Sequence, residues 1–195
     1  NDYWTCSGLT PNYDTGFRIK ARNGDGDATS YCTTVYKYTL ANQPGISSFS
    51  NITTNSIQVN WTSNGNYYYT DYYCENTTTG QNSGWVNNTY SWNNTGLSSG
   101  TNYNFRVKAR NSDGIETAWT NLGSQMTNYT PVIMNITPDA GPVGTYMKIE
   151  GQHFYNGGSV IFSGGATGEI LQWSDTTIYC RVPSGAQGGD MVVYC

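Results

Sequence analysis

The stretch "FRVKARNSDGIET", Phe105–Thr117, is written twice, because "FRIKARNGDGDAT" occupies Phe17–Thr29. Over the first ten positions only Ile19/Val107 and Gly24/Ser112 differ, and the offset is 88 residues with no gap. In both copies Phe, Ile or Val, and Ala fall on one face, and Arg, Lys and Arg fall on the other. Side chains along a strand point alternately to opposite faces, so the split is that of a half-buried strand. Asn-Gly-Asp-Gly and Asn-Ser-Asp-Gly then supply residues that tolerate left-handed backbone, as a hairpin turn requires. The stretch reads as a strand entering a hairpin, and its repetition as a duplicated β module.

The rest of the chain alternates in the same way. Ile57-Gln-Val-Asn-Trp61 and Tyr146-Met-Lys-Ile149 are examples, and Gly, Asn, Ser and Asp clusters break such runs. No stretch keeps a helical period. The predicted fold class is all-β, read as a β-sandwich.

Composition narrows the function classes. Charged residues make up 11% of the 195, against the ~25% of ordinary soluble domains. The 17 Tyr, 6 Trp and 5 Phe argue against a long disordered tail. A net charge of −4 lacks the basic footprint of a general nucleic-acid binder, so no nucleic-acid partner is expected. No apolar run approaches the ~20 residues of a membrane span. The polar opening Asn-Asp-Tyr-Trp is not a signal peptide, so if the protein is secreted its signal is expected upstream.

Seven Asn-x-Ser/Thr sequons are candidate N-glycan sites: Asn51, Asn60, Asn76, Asn87, Asn93, Asn128 and Asn135. Pro131 and Pro138 directly follow the last two. The five cysteines, Cys6, Cys32, Cys74, Cys180 and Cys195, leave one unpaired or paired between chains. No Cys-x-x-Cys occurs and His153 is the only histidine, so neither a metal site nor a cofactor is expected. Extracellular disulfides are the preferred reading.

Residues 44–127 resemble a fibronectin type III domain. The resemblance rests on Pro44, on "SIQVNWT" ending near Trp61, on "YTDYYCEN", and on "GLSSGTNYNFRVKARNSDGIETAW". Residues 1–40 resemble only the second half of such a domain, with Trp4, Gly8, Leu9, Phe17, Ala21, Asn23 and Gly26 opposite Trp92, Gly96, Leu97, Phe105, Ala109, Asn111 and Gly114. Thr15 stands where the second copy has Tyr103. Residues 131–195 resemble an IPT/TIG immunoglobulin-like domain through Pro138, Gly141, Pro142, Gly144, Thr145, Gly151, Phe154 and Pro183, with that module's last strand missing. The resemblance implies tandem immunoglobulin-like β-sandwiches, two of them incomplete. Phe17, Ile19 and Ala21 are then expected to pack against residues from outside 1–40.

The resemblance also orders the candidate sites. Its register puts Cys74 inward beside Tyr72, at a position the family fills with an aliphatic residue, so Cys74 is the expected free thiol. The other four divide by module into Cys6–Cys32 and Cys180–Cys195. The cations Arg18, Lys20, Arg22, Arg106, Lys108 and Arg110 point outward. They form either a ladder for acidic partners or a solvated face whose alkyl stems cover Tyr73 and its neighbours. "NGDGD" at residues 23–27 lacks the remaining ligands of a calcium loop and reads as turn chemistry. Of Tyr67, Tyr68, Tyr69, Tyr72, Tyr73 and Trp85, alternate members are expected to face the core and the rest to form a contact patch. His153 cannot assemble a triad, and the spacing of Asp71 and Glu75 alone is no catalytic signal.

The expected protein is thus a non-catalytic extracellular or cell-surface element. The leading version is a repeat segment of a glycosylated fibril or adhesin that self-associates into a linear assembly. A recognition-receptor ectodomain and the accessory modules of a secreted carbohydrate-active enzyme are the alternatives.

Overall fold

The computed structural model describes residues 4–195, all of their regular elements being strands. Two compact units divide the chain, one ending at Asn128 and the other running from Tyr129 to Cys195.

In the first unit, β1 (Asp14–Phe17) and β2 (Val35–Tyr38) form an antiparallel hairpin that pairs with no further strand among the described residues. Seven strands follow: β3 (Gly45–Ile46), β4 (Ser56–Thr62), β5 (Asp71–Asn76), β6 (Asn82–Asn87), β7 (Ser91–Thr95), β8 (Asn102–Arg110) and β9 (Thr120–Met126). They make one sheet in the order β3-β4-β7 and another in the order β6-β5-β8-β9. Alternation decides the inner faces. Ile57, Val59 and Trp61 on β4 meet Tyr72 and Cys74 on β5 and Phe105, Val107 and Ala109 on β8, every one of them buried. The Ser98 amide donates to the Tyr103 hydroxyl at 2.8 Å, tying the turn before β8 to its first buried side chain.

The duplicated stretch is built twice in one geometry. Thr15 faces Lys37 and Phe17 faces Val35 across the first hairpin. Across β8 and β9, Tyr103 faces Gln125 and Phe105 faces Gly123, the same register 88 residues later. The turn repeats bond for bond. Asp27 N donates to Asn23 Oδ1 at 2.8 Å, as Ile115 N does to Asn111 Oδ1 at 2.8 Å. Ala21 N donates to Thr29 Oγ1 at 3.1 Å, as Ala109 N does to Thr117 Oγ1 at 3.1 Å.

The second unit contains β10 (Val132–Thr137), β11 (Tyr146–Gln152), β12 (Ser159–Ile161), β13 (Glu169–Trp173), β14 (Thr177–Arg181) and β15 (Val192–Tyr194). Their sheets run β10-β11-β14-β13 and β12-β15 around Met147, Ile149, Phe154, Val160, Phe162, Ile178 and Cys180. Gly151 is buried on β11, where an added Cβ would collide with the Val132 carbonyl oxygen and the Phe154 ring.

Candidate functional site

The outer face of the β6-β5-β8-β9 sheet carries the first candidate. With Phe105, Val107 and Ala109 turned inward, β8 turns Arg106, Lys108 and Arg110 outward. Arg106 Cζ lies 4.1 Å from the Trp119 ring centre, Lys108 Nζ 4.8 Å from the same ring, and Arg110 Cζ 4.3 Å from Trp85. Lys108 also reaches Tyr73 at 5.5 Å. Each cation has its own carboxylate. Arg106 meets Glu75 at 2.6 Å, Arg110 meets Asp71 at 2.9 Å, and Lys108 meets Glu116. The ladder is therefore neutralised from within, and its stems and rings tile the sheet. Of the two readings of these cations, the covered face describes this copy. Asp71 and Glu75 are each held by a guanidinium rather than paired across a substrate space.

The first copy differs at one point. Arg18 Cζ sits 4.2 Å and Lys20 Nζ 5.0 Å from the ring of Tyr31, which takes the place of Trp119. Among the described residues no carboxylate pairs with Arg18, Lys20 or Arg22. The inner face is open as well. Ile19 is 75% exposed where its counterpart Val107 is 0% exposed. Ala21 is exposed and Phe17 half-buried, so the described residues leave Ile19 and Ala21 open and cover Phe17 only in part.

A third arrangement holds the first hairpin to the sandwich. Asn12, fully buried and at φ 50°, donates through Nδ2 to Thr70 Oγ1 at 2.8 Å and accepts at Oδ1 from the Ser112 amide at 2.8 Å. Asn111 Nδ2 donates to the Thr39 carbonyl at 3.1 Å, and the Tyr67 amide to the Pro11 carbonyl at 3.2 Å. Tyr13 and Tyr67 meet edge to face at 5.1 Å. Just beyond, Asn42 and Asn66 exchange amide bonds of 2.6 and 2.8 Å. Sequence reading did not single out Asn12, Asn42 or Asn66.

The tyrosine run needs a correction. Tyr67, Tyr68 and Tyr69 lie in the turn before β5, so strand alternation governs only Tyr72 and Tyr73. Tyr68 and Tyr69 are about half exposed, with ring centres 4.1 Å apart. Tyr72 is buried, and burial pushes its phenol up to about 12, against the opposing pull of the Asn66 and Thr70 side chains. Burial likewise pushes the Cys74 thiol up to about 12.

The sequons separate by environment. Asn51, Asn87, Asn93 and Asn135 are exposed, and Asn60 and Asn128 are half-buried with their amides donating to the Ser48 and Ile52 carbonyls. Asn76 leaves the set. It is fully buried on β5, and its Nδ2 donates to Asn94 Oδ1 at 2.7 Å, so the nitrogen a glycan would occupy is spent inside the sandwich. The expected cysteine bridges are not formed, and all five cysteines are free. Cys180 points into the core from β14, whereas Cys195 is exposed beyond β15 in the other sheet. Cys32 Sγ instead accepts a hydrogen bond from the Ile19 amide at 3.2 Å.

No group of three metal-ligating side chains occurs among the described residues. The Asn23 side-chain oxygen of "NGDGD" is engaged by the turn itself. His153, at φ 61°, stacks on Tyr129 at 4.3 Å. An open cleft of about 790 Å³ in the second unit is walled by Ile136, Pro142, Met147, Phe162, Val182 and Met191.

With this geometry in hand, the chain can be compared with known proteins. Residues 42–125 match the fibronectin type III domain and residues 131–193 the IPT/TIG domain. The chain carries a fibronectin type III domain followed by an IPT/TIG domain. These modules point to a non-catalytic, modular protein of the extracellular or adhesion type. Similar solved structures include the FN1–FN3 domains of chicken CNTN1, at 14% identity and TM-score 0.38, covering 91% of this chain and 67% of that one. A two-domain fibronectin type III segment of chicken tenascin is 13% identical at TM-score 0.35, covering 78% of this chain and 89% of that one. Chitinase ChiA74 from Bacillus thuringiensis is 20% identical at TM-score 0.34, covering 78% of this chain but 26% of its own length. Comparison with curated proteins returns no match. No helix among the described residues is long and apolar enough to cross a membrane.

Proposed function

We propose that this chain is a structural or adhesive segment of an extracellular, cell-surface protein, in which sandwich modules repeat along a linear assembly. The observation that carries the reading is the twice-built hairpin. One module's strand pair, turn and cation–aromatic stacking recur at a fixed offset of 88 residues. Repeated modules joined in one chain stack along a line, which supports a linear assembly. Low charge leaves surface solubility to polar side chains and to glycans on exposed sequons such as Asn51, Asn87 and Asn93.

Labelling intact source cells with an impermeant amine reagent, followed by glycosidase treatment, tests this reading. The protein should be labelled, should lose mass with the glycosidase, and should sediment as a series of oligomers. A protein labelled only after lysis, with the mass of the bare polypeptide, would overturn it.

A further inference from the structure

In the sandwich of residues 42–125, the β8–β9 pairing breaks register once. Phe105 faces Gly123 and Arg106 faces Asn121, so Leu122 is an extra residue, and it is buried. A bulge of this kind re-aims the side chains beside it. Here Asn121 comes out next to Arg106, and the two border a depression of about 420 Å³ together with Thr77, Asn104, Phe105 and Trp119.

The hydrogen bonds already made around the depression decide what it offers. Asn121 Oδ1 accepts from the Gly123 amide at 2.9 Å, which leaves Nδ2 as the group on offer. Asn104 Nδ2 donates to Thr78 Oγ1 at 3.3 Å, which leaves Oδ1. Thr77 Oγ1 donates its proton to the Asn104 carbonyl at 3.2 Å, which leaves its lone pairs. Arg106 gives Nε and one amino group to Glu75 at 2.7 and 2.6 Å, which leaves the other amino group. The set is two donors, Asn121 and Arg106, and two acceptors, Asn104 and Thr77, with the guanidinium charge already balanced. Trp119, half-buried, adds an aromatic wall.

That complement selects a chemistry. A carboxylate or phosphate needs donors alone and an ammonium needs acceptors alone, whereas neighbouring sugar hydroxyls each give and take a hydrogen bond. The C–H groups of a pyranose ring also suit an indole surface. The internal repeat separates fold from site. Arg106 and Trp119 are matched 88 residues earlier by Arg18 and Tyr31, but Asn104 and Asn121 by Gly16 and Thr33. The repeated hairpin therefore stacks its cation on its ring without the two amides.

We infer that this depression is a binding site for one hexopyranose unit of an uncharged glycan. Asn121 Nδ2 and Arg106 donate to hydroxyl oxygens, Asn104 Oδ1 and Thr77 Oγ1 accept hydroxyl protons, and the sugar ring packs on Trp119. An open depression with few hydrogen bonds holds a single sugar at about 1–10 mM and gains avidity along a polymer.

The test titrates the isotope-labelled full chain with methyl β-D-glucopyranoside, methyl β-D-galactopyranoside and methyl α-D-mannopyranoside, followed by amide NMR, with sodium acetate as the charged control. At least one glycoside should shift the amides of residues 77, 104–106 and 119–121 saturably, and acetate should not. The double variant Thr77→Val/Asn104→Ala removes both acceptors away from the bulge and should weaken binding about fivefold or more. Asn121→Thr, the residue of the first copy, should weaken it by removing a donor. No saturable shift with any of the glycosides overturns the inference in the unaltered chain, whether or not a variant folds. Tighter binding of acetate overturns it too, as does an affinity that both folded variants leave unchanged. The site lies within one module and requires no assembly, so surface labelling and glycosidase results stand apart from this titration.

Discussion

Asn12 Nδ2 donates to Thr70 Oγ1 at 2.8 Å, although 58 residues separate them and both side chains are fully buried. The same Asn12 side chain accepts from the Ser112 amide, 100 residues away. One buried amide thereby fixes the first hairpin to two loops of the sandwich.

Replacing that amide should free the hairpin without unfolding the sandwich. Asn12→Gly keeps the left-handed backbone accessible and removes only the side chain. Leaving Thr70 and Ser112 without their partner should cost about 1–3 kcal/mol. Hydrogen exchange should show faster exchange confined to residues 12–40. Unchanged exchange there would mean that the clasp contributes nothing.

The cation–aromatic ladder should be measurable as a coupling. Arg106 stacks on Trp119 at the partly exposed face, so a double-mutant cycle of Arg106→Ala and Trp119→Ala should return about 0.5–1 kcal/mol. Urea denaturation of the four proteins supplies the number. Additive single effects would reduce the ladder to coincidence of position.

Alkaline pH should destabilise the first unit through two buried groups. The Cys74 thiol rises from an ordinary 9.0 to about 12, and the Tyr72 phenol from 10.0 to about 12. Below about pH 9 both are protonated in the folded and unfolded chain alike, so neither adds pH dependence. Above it the unfolded chain releases the thiol proton and the folded chain does not, so stability falls as pH rises. The phenol adds to the fall from about pH 10. Each group contributes a slope of up to about 1.4 kcal/mol per pH unit. In urea midpoints, Cys74→Val should move the onset from about pH 9 to about pH 10, while a midpoint flat to about pH 11 would contradict the burial of both groups.

Gly151→Ala should destabilise the second unit. The methyl group would enter the space of a main-chain oxygen on β10 and of the Phe154 ring, and overpacking of this kind costs about 1–3 kcal/mol. A neutral thermal shift would show that β10 yields easily.

Glycan mapping should divide the sequons by burial. Peptides containing Asn51, Asn87 or Asn93 should carry hexose, and the peptide containing Asn76 should not. Sugar on Asn76 would require the Asn76–Asn94 bond to be absent from the native sandwich.

What the sequence made legible was whatever repeated or alternated. The hairpin register followed from the 88-residue offset, and the inward side of β5 from its period of two. The same period runs Tyr72, Cys74, Asn76, so the burial of that sequon was readable, although the glycan motif drew attention away from it. Asn12 was not readable in this way. Its counterpart 88 residues on is Gly100, so the repeat breaks at the clasp, and its partners are set by tertiary packing alone. Cysteine parity, for its part, carries no information about which sheet faces which. Cys180 is directed inward by the alternation of β14, away from any position parity could assign.

The joint between hairpin and sandwich is made almost wholly of neutral amides and hydroxyls: Asn12 with Thr70, Asn111 with Thr39, and Asn42 with Asn66. The one ion pair there among the described residues, Lys37 with Asp113 at 3.7 Å, is largely open to solvent and contributes little. The buried Asn12–Thr70 dipoles are little screened by dissolved ions, and amides and hydroxyls do not titrate across the ordinary range. The angle at which the hairpin leaves the sandwich should therefore change little between fresh water, brine and mild acid.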